Sequence, residues 1–300
     1  MDIMNFAPCL KPSNKKRFYS VYINIMLLFI CTMALQAQDS LPQVKQVSLA
    51  NTEQFSINSK FVQNENYIIQ VSLPIGYSRS ERSYPVLYVL DGDKSFGMIK
   101  EITDWLIWSK EIRNIIVVGI SYGKGTQVWW EKRARDYTQY EDTAYYEYPN
   151  AGGADNFLRF IKNELFPVIN KNYRTIQDSN AIMGLSFGGL LTSYVLFSQP
   201  EMFKSYIIIS PSLFFNGNSI LKTETDYFKS HKELHKMVFL AYGDSDNKDW
   251  VIDPTNEFIK IVQLHKYDSL KFVTQVFKGE THISVFPGAL TRGLKTVFRP

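Results

Sequence analysis

The segment AIMGLSFGG, residues 181–189, decides the fold. Its first three residues are apolar, as in a buried strand, and Leu190–Phe197 after it is typical of a buried helix. Between them stands the pattern G-x-S-x-G, in which Ser186 occupies a sharp strand-to-helix turn. Side chains at positions 184 and 188 would collide with such a turn, which explains the two glycines. The segment predicts Ser186 as a nucleophile, and the alternative is an ordinary glycine-rich turn with a solvent-facing serine.

Apolar runs on both sides of this segment predict the other strands. Near-continuous runs, expected for strands buried on both faces, are Pro85–Leu90, Ile115–Ile120, Ala181–Met183, Tyr206–Ile209, Met237–Tyr242 and Leu270–Phe277. Gln54–Val62 and Tyr67–Leu73 predict an antiparallel hairpin before them. Helical patterns occur at Asp155–Val168, Leu190–Phe197 and Glu257–Leu264. We therefore expect an α/β fold with a mainly parallel central sheet, an N-terminal antiparallel hairpin and helices on both faces, and a ligand site at the carboxyl ends of the strands.

A serine nucleophile needs a histidine base, and the chain has four histidines. His282 follows the last predicted strand, where the chain order serine, acid, histidine places the base. His265 falls inside a helical pattern and is expected to be a surface or partly packed residue. His231 and His235 are separated by Lys-Glu-Leu, which departs from the zinc pattern H-E-x-x-H, so we interpret them as part of a solvated helix face.

The acid that orients the histidine is expected after the strand before the last one. Met237–Tyr242 runs directly into a turn that contains Asp244, Asp246 and Asp249. Asp246 is the first choice. Asp244 and Asp249 remain alternatives, because a turn rich in Asp and Ser also arises simply to end a strand and begin a helix.

Acyl transfer through a serine requires main-chain N–H groups that bind the oxyanion. The first predicted donor is the amide of Phe187, directly after the nucleophile. The second is the amide of Asp93, in the loop that follows the strand Pro85–Leu90. Gly92 before it would allow the main chain to approach the oxyanion closely.

Aromatic residues are concentrated between positions 122 and 148. They are Tyr122, Trp129, Trp130, Tyr137, Tyr140, Tyr145, Tyr146 and Tyr148. The segment lacks sustained helix or strand periodicity and predicts a loop on the substrate side of the sheet. Trp129, Trp130 and Tyr137 are expected to stack on substrate, and Arg133 and Arg135 to attract an anionic group on it. The alternative is a loop whose rings pack on the body of the domain.

The first residues of the chain have the features of a secretory signal. Lys15-Lys16-Arg17 precedes the apolar run Phe18–Leu35, and polar sequence returns after Ala37. We therefore expect a signal peptide over residues 1–37, a single domain over residues 38–300, and export to the periplasm or beyond. An uncleaved membrane anchor is the alternative, because 18 residues is the lower limit for a spanning helix.

Composition excludes several classes of protein. Both cysteines, Cys9 and Cys31, lie in the signal region, so the rest of the chain has no disulfide, thiolate metal site or cysteine nucleophile. Residues 38–300 carry 29 basic and 28 acidic side chains, a balance that gives no electrostatic footprint for nucleic acid. No cofactor and no metal are predicted.

Several segments together are similar to one known family. They are Pro85–Gly92, Val117–Tyr122, Arg135–Thr138, Gly152–Asp155, Glu164–Pro167, Met183–Gly189, Ser210–Ser212 and Gly279–His282. Their order resembles the esterase family of α/β-hydrolases, esterase D-like, that includes the periplasmic enterochelin (siderophore) esterases and the feruloyl and acetyl-xylan esterases. The resemblance is closest to the siderophore branch. It implies an α/β-hydrolase fold and metal-free serine esterase activity centred on Ser186 and His282.

The chain also departs from that family at two places. Leu185 stands where many members have histidine, and Phe214-Phe215 stand where tryptophans are common. Some siderophore esterases are thought to use only a Ser–His pair, which leaves the role of Asp246 open.

The predicted function is that of a secreted serine carboxylic-ester hydrolase acting on a small-molecule or saccharide ester, most like a siderophore esterase. A carbohydrate esterase that removes feruloyl or acetyl groups is the alternative within the enzymes. A ligand-binding protein on a hydrolase scaffold is the non-enzymatic alternative. No nucleic-acid partner, and no membrane contact beyond the signal segment, is expected, and the sequence assigns no oligomeric state.

Overall fold

The computed structural model describes residues 22–29, 47–123, 125–141 and 150–300. Leu49–Pro300 form one compact unit. Residues 22–29, inside the predicted signal segment, are helical; the remainder of that segment, with the expected cut after Ala37, lies outside the described residues. None of the helices in the described part of the chain has the length and apolar character that a membrane span requires.

An eight-stranded sheet forms the centre of the unit. Its strands are β1 (Thr52–Asn58), β2 (Asn66–Ser72), β3 (Val86–Val89), β4 (Ile116–Ser121), β5 (Ala181–Leu185), β6 (Ser205–Ile209), β7 (Met237–Gly243) and β8 (Lys271–Phe277). Their spatial order is β1-β2-β4-β3-β5-β6-β7-β8. The pairs β1–β2 and β2–β4 are antiparallel and the other five pairs are parallel. The predicted hairpin and mainly parallel sheet are confirmed.

Helices cover both faces of this sheet. They are α1 (Gly92–Trp108), α2 (Thr126–Tyr137), α3 (Ala154–Phe160), α4 (Phe166–Asn172), α5 (Phe187–Ser198), α6 (Phe215–Ser230), α7 (Asp253–His265) and α8 (Val285–Val297). A π turn, Ile161–Leu165, joins α3 to α4.

The side-chain pattern of the strands explains why helices cover both faces of the sheet. Side chains alternate along a strand, and in β3 Leu87 and Val89 belong to one apolar cluster while Val86 and Tyr88 belong to the other. Helices α1 and α8 contribute to the first cluster, and the remaining long helices pack on the second. All four β3 side chains are buried, so the strand reads as a continuous apolar run.

Three expectations about local structure are wrong. The segment expected to be an irregular loop contains the helix α2, whose buried side carries Arg133, Asp136 and Tyr137; paired charges replace the apolar stripe that marks a helix in sequence. Strand β8 lies at the sheet edge and is half-exposed, not buried on both faces. His231 and His235 are exposed as expected, but they follow the end of α6 and do not lie on a helix face.

Candidate active site

Ser186 lies in the turn between β5 and α5. Its main chain has φ 61° and ψ −120°, a conformation that L residues rarely adopt. A side chain at Gly184 would collide with the main chain of Gly188, so this turn excludes any larger residue there. The main-chain N–H of Ser186 donates to the carbonyl of Ile209 at 3.1 Å, which anchors the turn to the next strand. The local structure is the strand, sharp turn and helix that the sequence predicts.

His282 and Asp246 meet beside this turn. Nδ1 of His282 lies 3.1 Å from Oδ2 of Asp246. The Asp246 side chain is 2% exposed and the His282 side chain 33% exposed, so the acid is enclosed while the imidazole reaches solvent. Oδ1 of Asp246 accepts from the N–H of Asn247 at 2.7 Å, which fixes the carboxylate. A carboxylate on Nδ1 holds the histidine in the tautomer whose Nε2 can accept a proton.

The two other candidate acids lie elsewhere in the same turn. Asp244 is exposed, and its Oδ1 accepts from the N–H of Gly279 at 2.7 Å and from the hydroxyl of Ser245 at 3.1 Å. Asp249 is exposed in a π turn. Of the three carboxylates, the geometry brings only Asp246 to His282 within the part of the chain that is described.

Ser186 and His282 line the same space but are not joined by a hydrogen bond in the described residues. Oγ of Ser186 instead lies 3.1 Å from Oγ of Ser212. Hydrogen bonds between nucleophile and base are often long in unliganded enzymes and tighten when substrate binds. The three side chains are of the types that form a serine–histidine–aspartate triad, and the Asp246–His282 contact is made while the His282–Ser186 contact is open.

Two pockets meet at Ser186, His282 and Trp130. The larger, about 420 Å³, is lined by polar residues of the acid turn and by the aromatic rings of Phe214 and Trp250. The smaller, about 280 Å³, is almost entirely apolar. Its lining includes Leu90, Lys94, Met98, Trp129, Met183, Leu185, Ile283 and Phe286. Both pockets therefore reach Ser186, and an ester carbonyl at that residue would have two pockets available for its acyl and alcohol parts.

The predicted oxyanion donors differ in their placement. Phe187 is the first residue of α5 and lines the larger pocket, so its amide is beside the nucleophile. Asp93 lies in the first turn of α1, and its carboxylate accepts from the N–H groups of Tyr122 and Gly123 at 2.7 and 2.8 Å. Asp93 is not among the residues that line either pocket. Its part in the oxyanion site stays a prediction.

Helix α2 carries the five residues predicted to bind substrate, and it divides them. Trp129 and Trp130 reach the pockets. Tyr137 is fully buried, and its hydroxyl oxygen accepts from the N–H of Asp91. Arg135 pairs with Asp136, at 2.6 Å, and with Glu65, and it lines neither pocket.

Arg133 takes part in the wall of the smaller pocket as a buried ion pair. Its Nε and Nη2 donate to the two carboxylate oxygens of Asp91 at 2.9 and 2.8 Å. Burial is the largest influence and acts to lower the pKa of Arg133, but the charge and hydrogen bonds of Asp91, together with nearby tyrosines, outweigh it and raise the pKa above its ordinary value. The guanidinium also lies over the rings of Trp129 and Trp130, 4.9 and 5.0 Å from their centroids. This arrangement gives support to α2 and does not present a free cation to an anionic substrate.

Among the residues that line the site without having been predicted for it are Ser212, Phe214 and Trp250. Trp250 follows the acid turn and stacks on Phe214, with ring centroids 5.6 Å apart and planes inclined by 21°. The proximity of Trp250 to Asp246 in sequence was the available signal. Ser212 and Phe214 follow β6, which lies next to β5 in the sheet. The family resemblance at Ser210–Ser212 and at Phe214-Phe215 was the available signal for both.

Comparison with known proteins places the chain among esterases. A family model described as "Putative esterase" matches residues 61–292. The chain is 31% identical to the ferri-bacillibactin esterase BesA of Bacillus subtilis over 253 residues, which cover 79% of this chain and 86% of that protein. It is 27% identical to the siderophore triacetylfusarinine C esterase of Aspergillus fumigatus over 285 residues, covering 84% of this chain and 94% of the relative.

A solved structure gives the same result. The crystal structure of the BES protein from Bacillus cereus matches with a TM-score of 0.77 and 29% identity, covering 87% of this chain and all (100%) of that chain. The likeness confirms the predicted α/β-hydrolase fold.

Proposed function

We propose a siderophore ester as the substrate and Ser186 as the nucleophile of this chain, which belongs to the putative esterase family and hydrolyses ester bonds. The family resemblance in the sequence motifs is confirmed. One observation supports the nucleophile above all: Ser186 sits in a strained turn in the same cavity as a histidine held by a buried carboxylate.

The reaction follows from these groups. Oγ of Ser186 attacks the ester carbonyl carbon while its proton passes to Nε2 of His282. The carbon–oxygen bond to the alcohol breaks, and the alcohol leaves with that proton. Water then attacks the acyl-enzyme and gives a proton to His282. The carboxylic acid product leaves as His282 returns that proton to Oγ of Ser186. Asp246 stabilises the imidazolium, and the amide of Phe187 binds the oxyanion.

Two features support a siderophore as the ester. The relatives described above are named as esterases of ferri-bacillibactin and of triacetylfusarinine C. The pockets beside Ser186 carry aromatic rings, Trp129 and Trp130 on one side and Phe214 and Trp250 on the other, which suits flat aromatic acyl groups. Lys94 at the smaller pocket provides an exposed positive charge.

A chromatographic time course tests the substrate. The purified protein is incubated with an equimolar mixture of a catecholate triserine lactone and methyl ferulate, with Ser186→Ala as the control. We expect the lactone to disappear first and the control to leave both esters intact. Faster loss of methyl ferulate would favour the carbohydrate esterase, and hydrolysis that persists in Ser186→Ala would refute the nucleophile.

We further propose that the enzyme is exported. The support lies in the sequence alone, in the basic residues 15–17 followed by the apolar run 18–35. The intact mass of the protein recovered from its native compartment tests this. A mass that begins near residue 38 is expected, and the mass of the full chain would contradict cleavage.

A further inference from the structure

The turn Ser210-Pro211-Ser212 is attached to the nucleophile turn by its main chain. It follows β6, whose last residue, Ile209, accepts the N–H of Ser186, and the N–H of Ser212 donates to the carbonyl of Ser186 at 3.1 Å. A Cβ on Gly189 would lie 2.9 Å from Cα of Pro211, so the two turns are in close contact. Ser212 is therefore held at a fixed place relative to Ser186.

The side chain of Ser212 points at the reacting atom. It is 5% exposed, and its Oγ lies 3.1 Å from Oγ of Ser186. Ser210, two positions earlier, has a positive φ of 36°. Strained main chain of this kind persists where the surroundings hold it in place, and it is concentrated at functional sites.

We propose that Ser212 is a further catalytic residue of the hydrolysis, whose hydroxyl donates a hydrogen bond to Oγ of Ser186. A hydroxyl has one proton to donate and two lone pairs to accept with. When Ser212 is the donor, Ser186 keeps its own proton for His282. The proposal rests on Ser186 being the nucleophile.

The hydrogen bond acts at both stages of the reaction. As the proton of Ser186 moves to Nε2 of His282, negative charge grows on Oγ, and the Ser212 hydroxyl stabilises it. The same charge grows when Oγ leaves the second tetrahedral intermediate. Ser212 retains its own proton throughout. Removal of the Ser212 hydroxyl should therefore slow both steps and leave the products unchanged.

Ser212→Ala tests the proposal, with Ser210→Ala as the matched control. Ser210 lies in the same turn and is also buried, and its hydroxyl has no hydrogen-bond partner among the described residues. The probe is a fluorophosphonate, which labels a serine nucleophile and releases fluoride, so no alcohol-binding site is needed. We expect Ser212→Ala to lower the labelling rate per active site by about tenfold, as for one lost hydrogen bond. The final extent of labelling should equal that of the wild type.

Steady-state kinetics on p-nitrophenyl acetate give an independent reading. Ser212→Ala should lower kcat by a similar factor and leave KM within about twofold, whereas Ser210→Ala should match the wild type. Equal labelling rates in Ser212→Ala and the wild type would overturn the proposal. So would a reduced final extent of labelling with a normal rate per labelled site, because the folded fraction would then react normally without the Ser212 hydroxyl.

A second variant covers the case in which Ser212→Ala folds poorly. Ser212→Cys keeps nearly the same volume but has a weak donor, and we expect it to be slowed in the same way. A Ser212→Cys variant that reacts at the wild-type rate would contradict the proposal. Ser186→Ala separates the two hypotheses, because labelling that survives in it would refute the nucleophile and not Ser212 alone.

Discussion

Two carboxylates lie beside Ser186, and the structure gives them very different partners. Asp246 meets His282 through one contact of 3.1 Å, and the imidazole is one-third exposed, at 33%. Asp91 meets Arg133 through two contacts of 2.9 and 2.8 Å, and the arginine side chain is 3% exposed. The Asp246–His282 pair has one contact and is open to solvent, whereas the Asp91–Arg133 pair has two contacts and is enclosed.

The difference in partner determines what each carboxylate can do. An imidazole gains and loses a proton near neutral pH, so the Asp246–His282 pair can assist proton transfer. A guanidinium stays protonated, so the Asp91–Arg133 pair can only hold geometry. Arg133 also reaches the carbonyl of Leu185, next to the nucleophile, at 3.4 Å. The geometry therefore suits the Asp246–His282 pair to proton transfer, whereas the Asp91–Arg133 pair supports the wall of the smaller pocket.

Removal of the base has the largest expected effect. His282→Ala should lower kcat by about 10⁶-fold, because the nucleophile then has no proton acceptor. The melting temperature should change little, since the side chain is partly exposed. His235→Ala, at an exposed histidine that lines neither pocket, should leave kcat and Tm unchanged. A loss of less than tenfold in His282→Ala would contradict its role as base.

Neutralisation of the Asp246 carboxylate is expected to lower kcat by a smaller factor than removal of His282. Asp246→Asn should lower kcat by about 10⁴-fold with KM nearly constant, because the amide favours the wrong histidine tautomer. Asp249→Asn in the same segment is the matched control and should retain full kcat. A loss within threefold in Asp246→Asn would mean that Ser186 and His282 suffice as a pair.

The Asp91–Arg133 ion pair is expected to contribute mainly to the stability of the fold. Arg133→Met leaves the Asp91 charge buried without its partner and should lower the free energy of unfolding by about 3–5 kcal/mol. Denaturant titration measures this value. Arg79→Met, at an exposed arginine, should change it little. The double variant Arg133→Met with Asp91→Asn should recover part of the loss.

The same variant decides between two roles of Arg133. Should Arg133→Met remain as stable as the wild type while KM rises strongly, the arginine would be the substrate anchor that the sequence predicts. The buried fork onto Asp91 favours the structural role.

Local sequence order predicts Ser186 and His282 as nucleophile and base, and the structure places both side chains in one cavity. Ser186 follows an apolar strand between glycines, and Asp246 and His282 each follow the end of a strand. Parallel strands bring such carboxyl ends to one edge of the sheet, so the order along the chain already implies proximity. Asp246 is already the first choice from the sequence, but the contact with His282 that distinguishes it from Asp244 and Asp249 is seen only in the structure, because all three carboxylates lie close together in the chain.

Helix α2 could not be predicted in the same way. Its buried side carries charges that are neutralised by Asp91 and Glu65, which lie more than forty residues away in the chain. Hydrophobic periodicity cannot report such pairing, so the arginines looked available for substrate. The aromatic residues Tyr145, Tyr146 and Tyr148 of the same segment lie outside the described residues, and their predicted role is untested.

The smallest effect is expected for Trp250, an exposed residue at the larger pocket. Trp250 stacks on Phe214 over the larger pocket and is 54% exposed, so Trp250→Ala removes one aromatic contact surface and no charge. KM for the preferred ester should rise by about 3- to 10-fold, the value of one aromatic contact, with kcat nearly constant. Trp105→Ala is the matched control, because Trp105 is 65% exposed on the outer side of α1 and lines neither pocket. Equal KM values in both variants would place substrate binding in the smaller pocket, on the side that the arginine pair supports.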